Sequence, residues 1–150
     1  MFHKATSETP DLLASWRWLV GGQPQLHGWS SSGDLFYVDT NGVVWWLNTG
    51  GGSTEIAAAS RAAFDAVLRD PEAGGNLLLA PVVRAWEEAH GPLASGRCLG
   101  FSTLPVLGGA YTIDNRVSVP IVEHAGLTGE IHCQIRDLPD GATVRISVTP

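Results

Sequence analysis

Five histidines, two cysteines and fifteen carboxylates are the side chains of this 150-residue chain that could carry out chemistry. A metal site requires ligands at a recognisable spacing, such as a His-Glu-x-x-His helix or a Cys-x-x-Cys pair. Neither pattern occurs, and His124 and His132 stand eight residues apart. The sequence therefore predicts no metal site and no bound cofactor.

Cys98 is the candidate nucleophile, with His132 as its base and Asp114 as a third partner. A catalytic thiol needs a lowered pKa, and no motif around Cys98 provides one, so a buried strand cysteine is the favoured interpretation. A small hydrolase-like enzyme built on these three residues stays open as an alternative. Cys98 and Cys133 are expected to be free thiols.

The three glycines at residues 50–52 could form a phosphate-binding loop. Such a loop ends in Gly-Lys-Ser/Thr and leads directly into a helix. This one ends in serine and leads into a run typical of a strand, so it is interpreted as a hairpin loop.

The charge is acidic and unevenly spread. Nine Lys and Arg oppose fifteen Asp and Glu, which gives a formal net charge of -6. Residues 18–60 contain no Lys or Arg, while Asp34, Asp39 and Glu55 lie within them. This pattern excludes nucleic-acid binding, even by stacking on Trp45 and Trp46, because cations must replace the phosphate counterions. It favours a basic protein partner.

The elements that would position these residues can be assigned from periodicity and turn signals. An Asn-Gly pair between residues 34–39 and 43–48 predicts a β-hairpin. With a two-residue loop, Phe36 would face Leu47 on the core side and Tyr37 would face Trp46 on the other side. Capping and breaking residues predict further helices and strands. The helices span residues 10–19, 60–68, 81–90 and 127–138, and the strands span residues 54–58, 97–102, 117–122 and 142–148.

These elements predict an α+β fold of a single domain, residues 1–150, with a largely antiparallel sheet and about four packed helices. Leu127, Ile131, Ile135 and Leu138 would form the buried stripe of the last helix. His132 and Gln134 would flank that stripe and bond to the backbone of residues 106–115, or else form a polar rim at a binding surface. Cys133 would face solvent. No apolar run is long enough to span a membrane and the first residues lack a signal segment, so a cytoplasmic protein is expected.

Several segments together resemble one protein family. They are Gly33-Asp34-Leu35-Phe36, Asp39-x-Asn41-Gly42-x-Val44-x-Trp46-Leu47-Asn48-Thr49-Gly50, Pro105-Val106-Leu107-Gly108-Gly109-x-Tyr111, Asp114-Asn115, and Gly129-x-Ile131-His132-x-Gln134-Ile135-x-Asp137-Leu138-Pro139-Asp140-Gly141. The sequence is similar, over residues 16–144, to the type VI secretion immunity proteins, and more narrowly to the C-terminal domain of those paired with DNase effectors. It departs from the family at Ala110, Gly126, Glu130 and Cys133, which affects the choice of partner.

The resemblance implies a non-enzymatic protein that forms a tight non-covalent complex with a cognate toxin, here a nuclease. It also marks four polar family positions, which are Asp114, Asn115, His132 and Gln134. A general protein-interaction module is the alternative from another class.

Five residues are the candidate toxin contacts, because they combine carboxylates with aromatic side chains in the segment without cations. They are Asp34, Asp39, Tyr37, Trp46 and Glu55. Core packing is the alternative role for the aromatic residues. Lysine at positions 34 and 39 is expected to weaken binding and leave the fold intact.

Overall fold

Five antiparallel strands form the main sheet of the computed structural model, which describes residues 1–145. Each strand pairs with the next one along the chain, so the sheet is a meander. The strands are β1 (Phe2–Lys4), β2 (Gln25–Ser30), β3 (Leu35–Val38), β4 (Val44–Asn48) and β5 (Ser53–Ala58).

Helices and a second, two-stranded sheet follow the meander. They are α2 (Arg61–Arg69), α3 (Pro71–Leu77), α4 (Ala80–His90), β6 (Arg97–Phe101), β7 (Arg116–Pro120) and α5 (Ile121–Ile135), while the short α1 (Arg17–Val20) precedes β2. Single 3-10 turns lie at Ala14–Trp16, Pro105–Leu107 and Ile113–Asn115. The predicted α+β class and antiparallel sheet are confirmed, with five α-helices in residues 1–145. In that range no helix combines the length and apolar character needed to cross a bilayer.

The main sheet is covered on both faces at β3 and β4, where the alternating side chains are mostly apolar on each face. One cluster joins its first face to the N-terminal segment and to α5, through Leu35, Tyr37, Leu47, Leu13, Trp16, Ile121 and Ala125. A second cluster joins the other face to α2 and the end of α3, through Phe36, Val38, Val44, Phe64 and Leu78. The side chains of one hairpin therefore contribute to two cores.

The hairpin of β3 and β4 forms at the Asn-Gly turn, but its register differs from the predicted one. Its pairs are Val38–Val44, Tyr37–Trp45, Phe36–Trp46 and Leu35–Leu47. Three residues separate Asp39 from Val43, whose backbone groups are hydrogen-bonded at 3.0 Å, and Gly42 has a φ of 81°. This is the turn with a glycine bulge that three-residue hairpins adopt. The predicted pairings of Phe36 with Leu47 and of Tyr37 with Trp46 are both wrong, because the turn signal does not set the loop length.

The last helix begins earlier than predicted and buries a different face. α5 starts at Ile121 and not at residue 127, so the predicted strand over residues 117–122 ends at Pro120. Leu127 and Leu138, which were assigned to the buried stripe, are 44% and 45% exposed. The buried side of α5 instead carries Ile121, His124, Ala125, Thr128, Gly129, Ile131 and His132. Its two histidines have their partner, Thr49, in the loop between β4 and β5, which helical periodicity alone cannot reveal.

Three other differences from the predicted elements concern single helices and strands. Pro71 starts α3 as well as ending α2, with the Asp70 carboxylate accepting the Glu72 N–H at 3.1 Å as an N-cap. Residues 10–19 form a 3-10 turn and the four-residue α1 where one helix was predicted. In the predicted strand over residues 142–148, residues 142–145 have no regular structure and the rest lies outside the described residues.

Two glycines of α5 provide a matched test of how closely this helix approaches the N-terminal segment. A Cβ atom on Gly129 would lie 2.6 Å from the Ser15 carbonyl oxygen, whereas one on Gly126 would meet only Ser15 Oγ, at 3.9 Å. Gly129→Ala is expected to lower the free energy of unfolding by about 1–3 kcal/mol through overpacking. Gly126→Ala is expected to raise it by up to about 1 kcal/mol through helix propensity. Urea unfolding followed by tryptophan fluorescence measures both, and stabilisation by both variants would contradict the close approach.

Candidate functional site

Asp34 lies inside the molecule, at the connection between β2 and β3. It is 6% exposed. Its carboxylate accepts hydrogen bonds from Trp46 Nε1 at 3.0 Å and from the Thr49 N–H at 3.1 Å. Burial raises the pKa of Asp34, and the hydrogen bonds and the charge of Arg116 oppose that rise. Asp34 therefore holds Trp46 and the start of the β4–β5 loop in place and is not accessible to a partner.

Two histidines of α5 bind the same residue of that loop. His124 Nε2 and Thr49 Oγ1 are hydrogen-bonded at 2.9 Å, and His132 Nε2 donates to the Thr49 carbonyl oxygen at 3.0 Å. Burial lowers the pKa of His124 to about 4 and also lowers the pKa of His132. Both rings are therefore neutral at pH 7. The predicted bond from His132 to residues 106–115 is wrong, because α5 packs with this side against the main sheet.

The Gly-rich loop connects β4 to β5, as predicted for a hairpin loop. Asn48 Oδ1 accepts the N–H groups of Gly50 and Gly51 at 3.1 and 3.0 Å, and the Asn48 carbonyl oxygen accepts that of Gly52 at 2.8 Å. Gly52 has a φ of 70°, and a Cβ atom there would lie 2.5 Å from His132 Nδ1. The backbone N–H groups that a phosphate would require are already hydrogen-bonded to Asn48. Glycine at position 52 leaves room for the His132 ring.

The hairpin residues chosen from the sequence differ in accessibility. Asp39 is half-buried at the turn, where its carboxylate accepts from Trp45 Nε1 at 2.9 Å and from the N–H groups of Asn41 and Val43. These bonds, with that from Trp45 foremost, lower the pKa of Asp39. Glu55 is exposed on β5.

The aromatic residues lie on both faces of the hairpin. Trp46 is half-buried opposite Glu55. Tyr37 is buried on the other face, with its ring stacked on Trp45 at a centroid distance of 6.3 Å. Asp39, Glu55 and part of Trp46 are thus the accessible members of the five.

Asn115 organises the loop between β6 and β7. Its side-chain amide donates to the carbonyl oxygens of Thr103 and Ala110 at 2.8 and 2.7 Å, and its Oδ1 accepts the Thr103 N–H at 3.0 Å. Asp114 is exposed beside it, and Gln134 lies on the exposed side of α5. Among the four family positions, Asn115 and His132 therefore have structural roles, and the other two lie on the surface.

The structure does not assemble the three residues of the enzyme alternative into a catalytic group. Cys98 is fully buried on β6, and burial raises the pKa of its thiol to about 12. A thiol with this pKa is protonated at neutral pH and is a poor nucleophile. His132 is bonded to the Thr49 carbonyl group, and Asp114 is exposed in its loop. Within residues 1–145, no three His, Cys, Asp or Glu side chains are grouped so that they could hold a metal ion.

An apolar groove that the sequence did not predict lies between α5 and the loop after β6. We call it the α5 groove; it has a volume of about 750 Å³, and its lining includes Phe101, Leu104, Leu107, Glu123, Leu127 and Ile131. The adjoining loop carries three further exposed apolar side chains, Val106, Tyr111 and Ile113. Leu127 was the available signal in the sequence, but helical periodicity assigned it to the core.

Comparison with known proteins identifies a family and a related solved structure. The family model described as "T6SS immunity protein Tdi1, C-terminal" matches residues 58–132, which is 75 of the 150 residues. The crystal structure of Atu4351 from Agrobacterium tumefaciens superimposes with a TM-score of 0.53 at 16% identity, covering 77% of this chain and 61% of that one. This chain thus spans about three-fifths of that protein's length, and the likeness shows the fold alone. No curated protein matches the sequence.

Proposed function

This chain belongs to the family of T6SS immunity proteins described as Tdi1, C-terminal, and we propose on that premise that it binds and neutralises one cognate toxin. The family match over residues 58–132 is the observation that carries the proposal. We further propose that the complex is tight and non-covalent, that it forms in the cytoplasm, and that this chain performs no catalysis.

The chemistry of the toxin follows from charge. A nuclease must carry a basic surface for its substrate, and the formal net charge of -6 on this chain complements such a surface. Electrostatic complementarity of this kind speeds association and disfavours other partners. A basic nuclease is therefore the toxin that we propose.

Two accessible carboxylates of the β3–β5 hairpins, Asp39 at the turn and Glu55 on β5, support this proposal and mark a first contact region. We propose that Asp39, Glu55 and the accessible edge of Trp46 contact the toxin. Asp34 and Tyr37 would act from beneath, since Asp34 bonds to Trp46 and Tyr37 stacks on Trp45. They are positioning residues in this proposal, because both are buried.

Co-expression with the toxin encoded by the adjacent reading frame tests the function. We expect this chain to restore growth of cells that produce the toxin and to co-purify with it. Loss of growth together with no co-purification would overturn the proposal and favour a general interaction module.

Glu55→Lys tests the hairpin contact, with Glu88→Lys as its control. Both residues are exposed and both substitutions change the net charge by the same amount, but Glu88 lies on α4. We expect Glu55→Lys to weaken binding by about tenfold and Glu88→Lys to have little effect. Titration of a catalytically inactivated toxin measures both, and equal affinities would remove the hairpin from the interface.

A further inference from the structure

The α5 groove and its adjoining loop hold five of the nine exposed large apolar side chains in residues 1–145. Leu107 and Leu127 on its two sides are 38% and 44% exposed. Contiguous apolar surface of this kind is unfavourable in water and marks interaction sites on soluble proteins. The hairpin surface, by contrast, offers carboxylates and one exposed aliphatic side chain, Ile56, but leaves Tyr37 buried. A tight complex needs an apolar centre within a polar rim, and the groove provides one.

The walls of the groove are held in place before any partner binds. Asn115 fixes the loop on one side through Thr103 and Ala110. The Arg116 guanidinium lies 3.9 Å from the ring centroid of Phe101, which lines the groove. On the other side, α5 is bonded to Thr49 through His124 and His132. A preformed groove loses little conformational entropy on binding, which favours high affinity.

The charges around the groove define its occupant. Its lining includes the exposed carboxylate of Glu123 and no Lys or Arg. Arg116, behind Phe101, is buried, and no Lys or Arg occurs between it and Arg136. An apolar side chain flanked by Lys or Arg complements this surface. A second copy of this chain does not, because its groove would bring carboxylates against carboxylates.

We infer that the cognate toxin inserts an apolar side chain flanked by basic residues into the α5 groove. This inference rests on the proposed function and names the surface and the partner chemistry for it. The residues from Phe101 to Ile131 that line the groove all lie within the segment matched by the family model, whereas the β3–β4 hairpin lies outside it.

Two aliphatic residues on the outer side of α5 allow a matched experiment. Leu127 lines the groove, whereas Val122, which is 49% exposed on the same helix, does not. We expect Leu127→Arg to weaken binding of the inactivated toxin by at least about 20-fold and to abolish protection. Val122→Arg is expected to bind within about twofold of the original chain, because both positions tolerate a surface side chain and only one lies in the groove. Thermal unfolding of both variants verifies that they are folded.

The outcomes separate this inference from the proposed function. Protection by the original chain with unchanged binding by Leu127→Arg would overturn the groove and leave the immunity function standing. An equal loss in Leu127→Arg and Val122→Arg would also overturn it. Self-association of the original chain that Leu127→Arg abolishes would assign the groove to a second copy instead. Failure of the original chain to bind the toxin would overturn the proposed function and this inference together.

Discussion

Asp34→Ala is expected to lower the free energy of unfolding by about 3 kcal/mol, because it leaves buried donors without an acceptor. The Asp34 carboxylate accepts from Trp46 Nε1 and from the Thr49 N–H, and Arg116 contributes a favourable charge interaction. Each lost bond to a charged group costs about 1.5–3 kcal/mol, which the relief of carboxylate burial offsets in part. Urea unfolding at pH 7, followed by tryptophan fluorescence and far-ultraviolet circular dichroism, measures the change.

Asp39→Ala is the control for Asp34→Ala. Both residues accept a bond from a tryptophan Nε1–H, but Asp39 is only half-buried at the hairpin turn, where water can replace the lost acceptor. We expect a much smaller effect at position 39. The expectation that Asp34→Lys leaves the fold intact is withdrawn. Because position 34 is buried, we expect the lysine to destabilise the fold. Equal effects of Asp34→Ala and Asp39→Ala would contradict the buried network.

His124 is expected to make the protein sensitive to mild acid. Its pKa is about 4 in the folded chain and 6.5 as the ordinary value, because burial disfavours the charged ring. The unfolded chain therefore binds more protons between these two pH values, and stability is lost as pH falls from 6.5 towards 4. Since each tenfold difference in proton affinity is worth about 1.4 kcal/mol, the loss amounts to about 3 kcal/mol.

His124→Gln isolates this contribution, because glutamine can bond to Thr49 but does not titrate. Stability is measured by urea unfolding of both proteins at intervals from pH 7.5 to pH 4. The advantage of the original chain over the variant should shrink by about 3 kcal/mol across that range. The raised pKa of Asp34 makes the fold more stable as pH falls, and the lowered pKa of His132 makes it less stable. Both effects are present in the original chain and in the variant, so they cancel in the difference. Parallel curves would contradict a buried, neutral His124.

Local signals in the sequence were sufficient for most of the elements. Ser60 accepts the Ala63 N–H as the N-cap of α2, and α4 spans Ala80–His90 where residues 81–90 were predicted. The strand predicted over residues 97–102 is β6. In each case the deciding interactions lie within a few residues along the chain, where capping and periodicity operate.

Burial of polar residues could not be predicted in the same way. The partners of Asp34 lie 12 and 15 residues further along the chain, and those of His124 and His132 lie 75 and 83 residues earlier. A carboxylate in a segment without cations suggests a binding surface until the fold shows which donors surround it. The α5 groove was missed for the converse reason, since periodicity cannot tell a covered apolar stripe from an uncovered one.

The two hydrogen bonds that Thr49 makes to α5 also bear on which parts of the chain unfold together. His124 bonds to the Thr49 side chain and His132 to the Thr49 carbonyl group. These bonds join α5, which follows the second sheet, to the β4–β5 loop of the main sheet. Trp16 Nε1 donates to the Ala125 carbonyl oxygen at 3.0 Å and adds the N-terminal segment to the same junction. Because separating α5 from the meander would break this junction and expose Thr49, we expect the meander and the helical half to unfold as one cooperative unit.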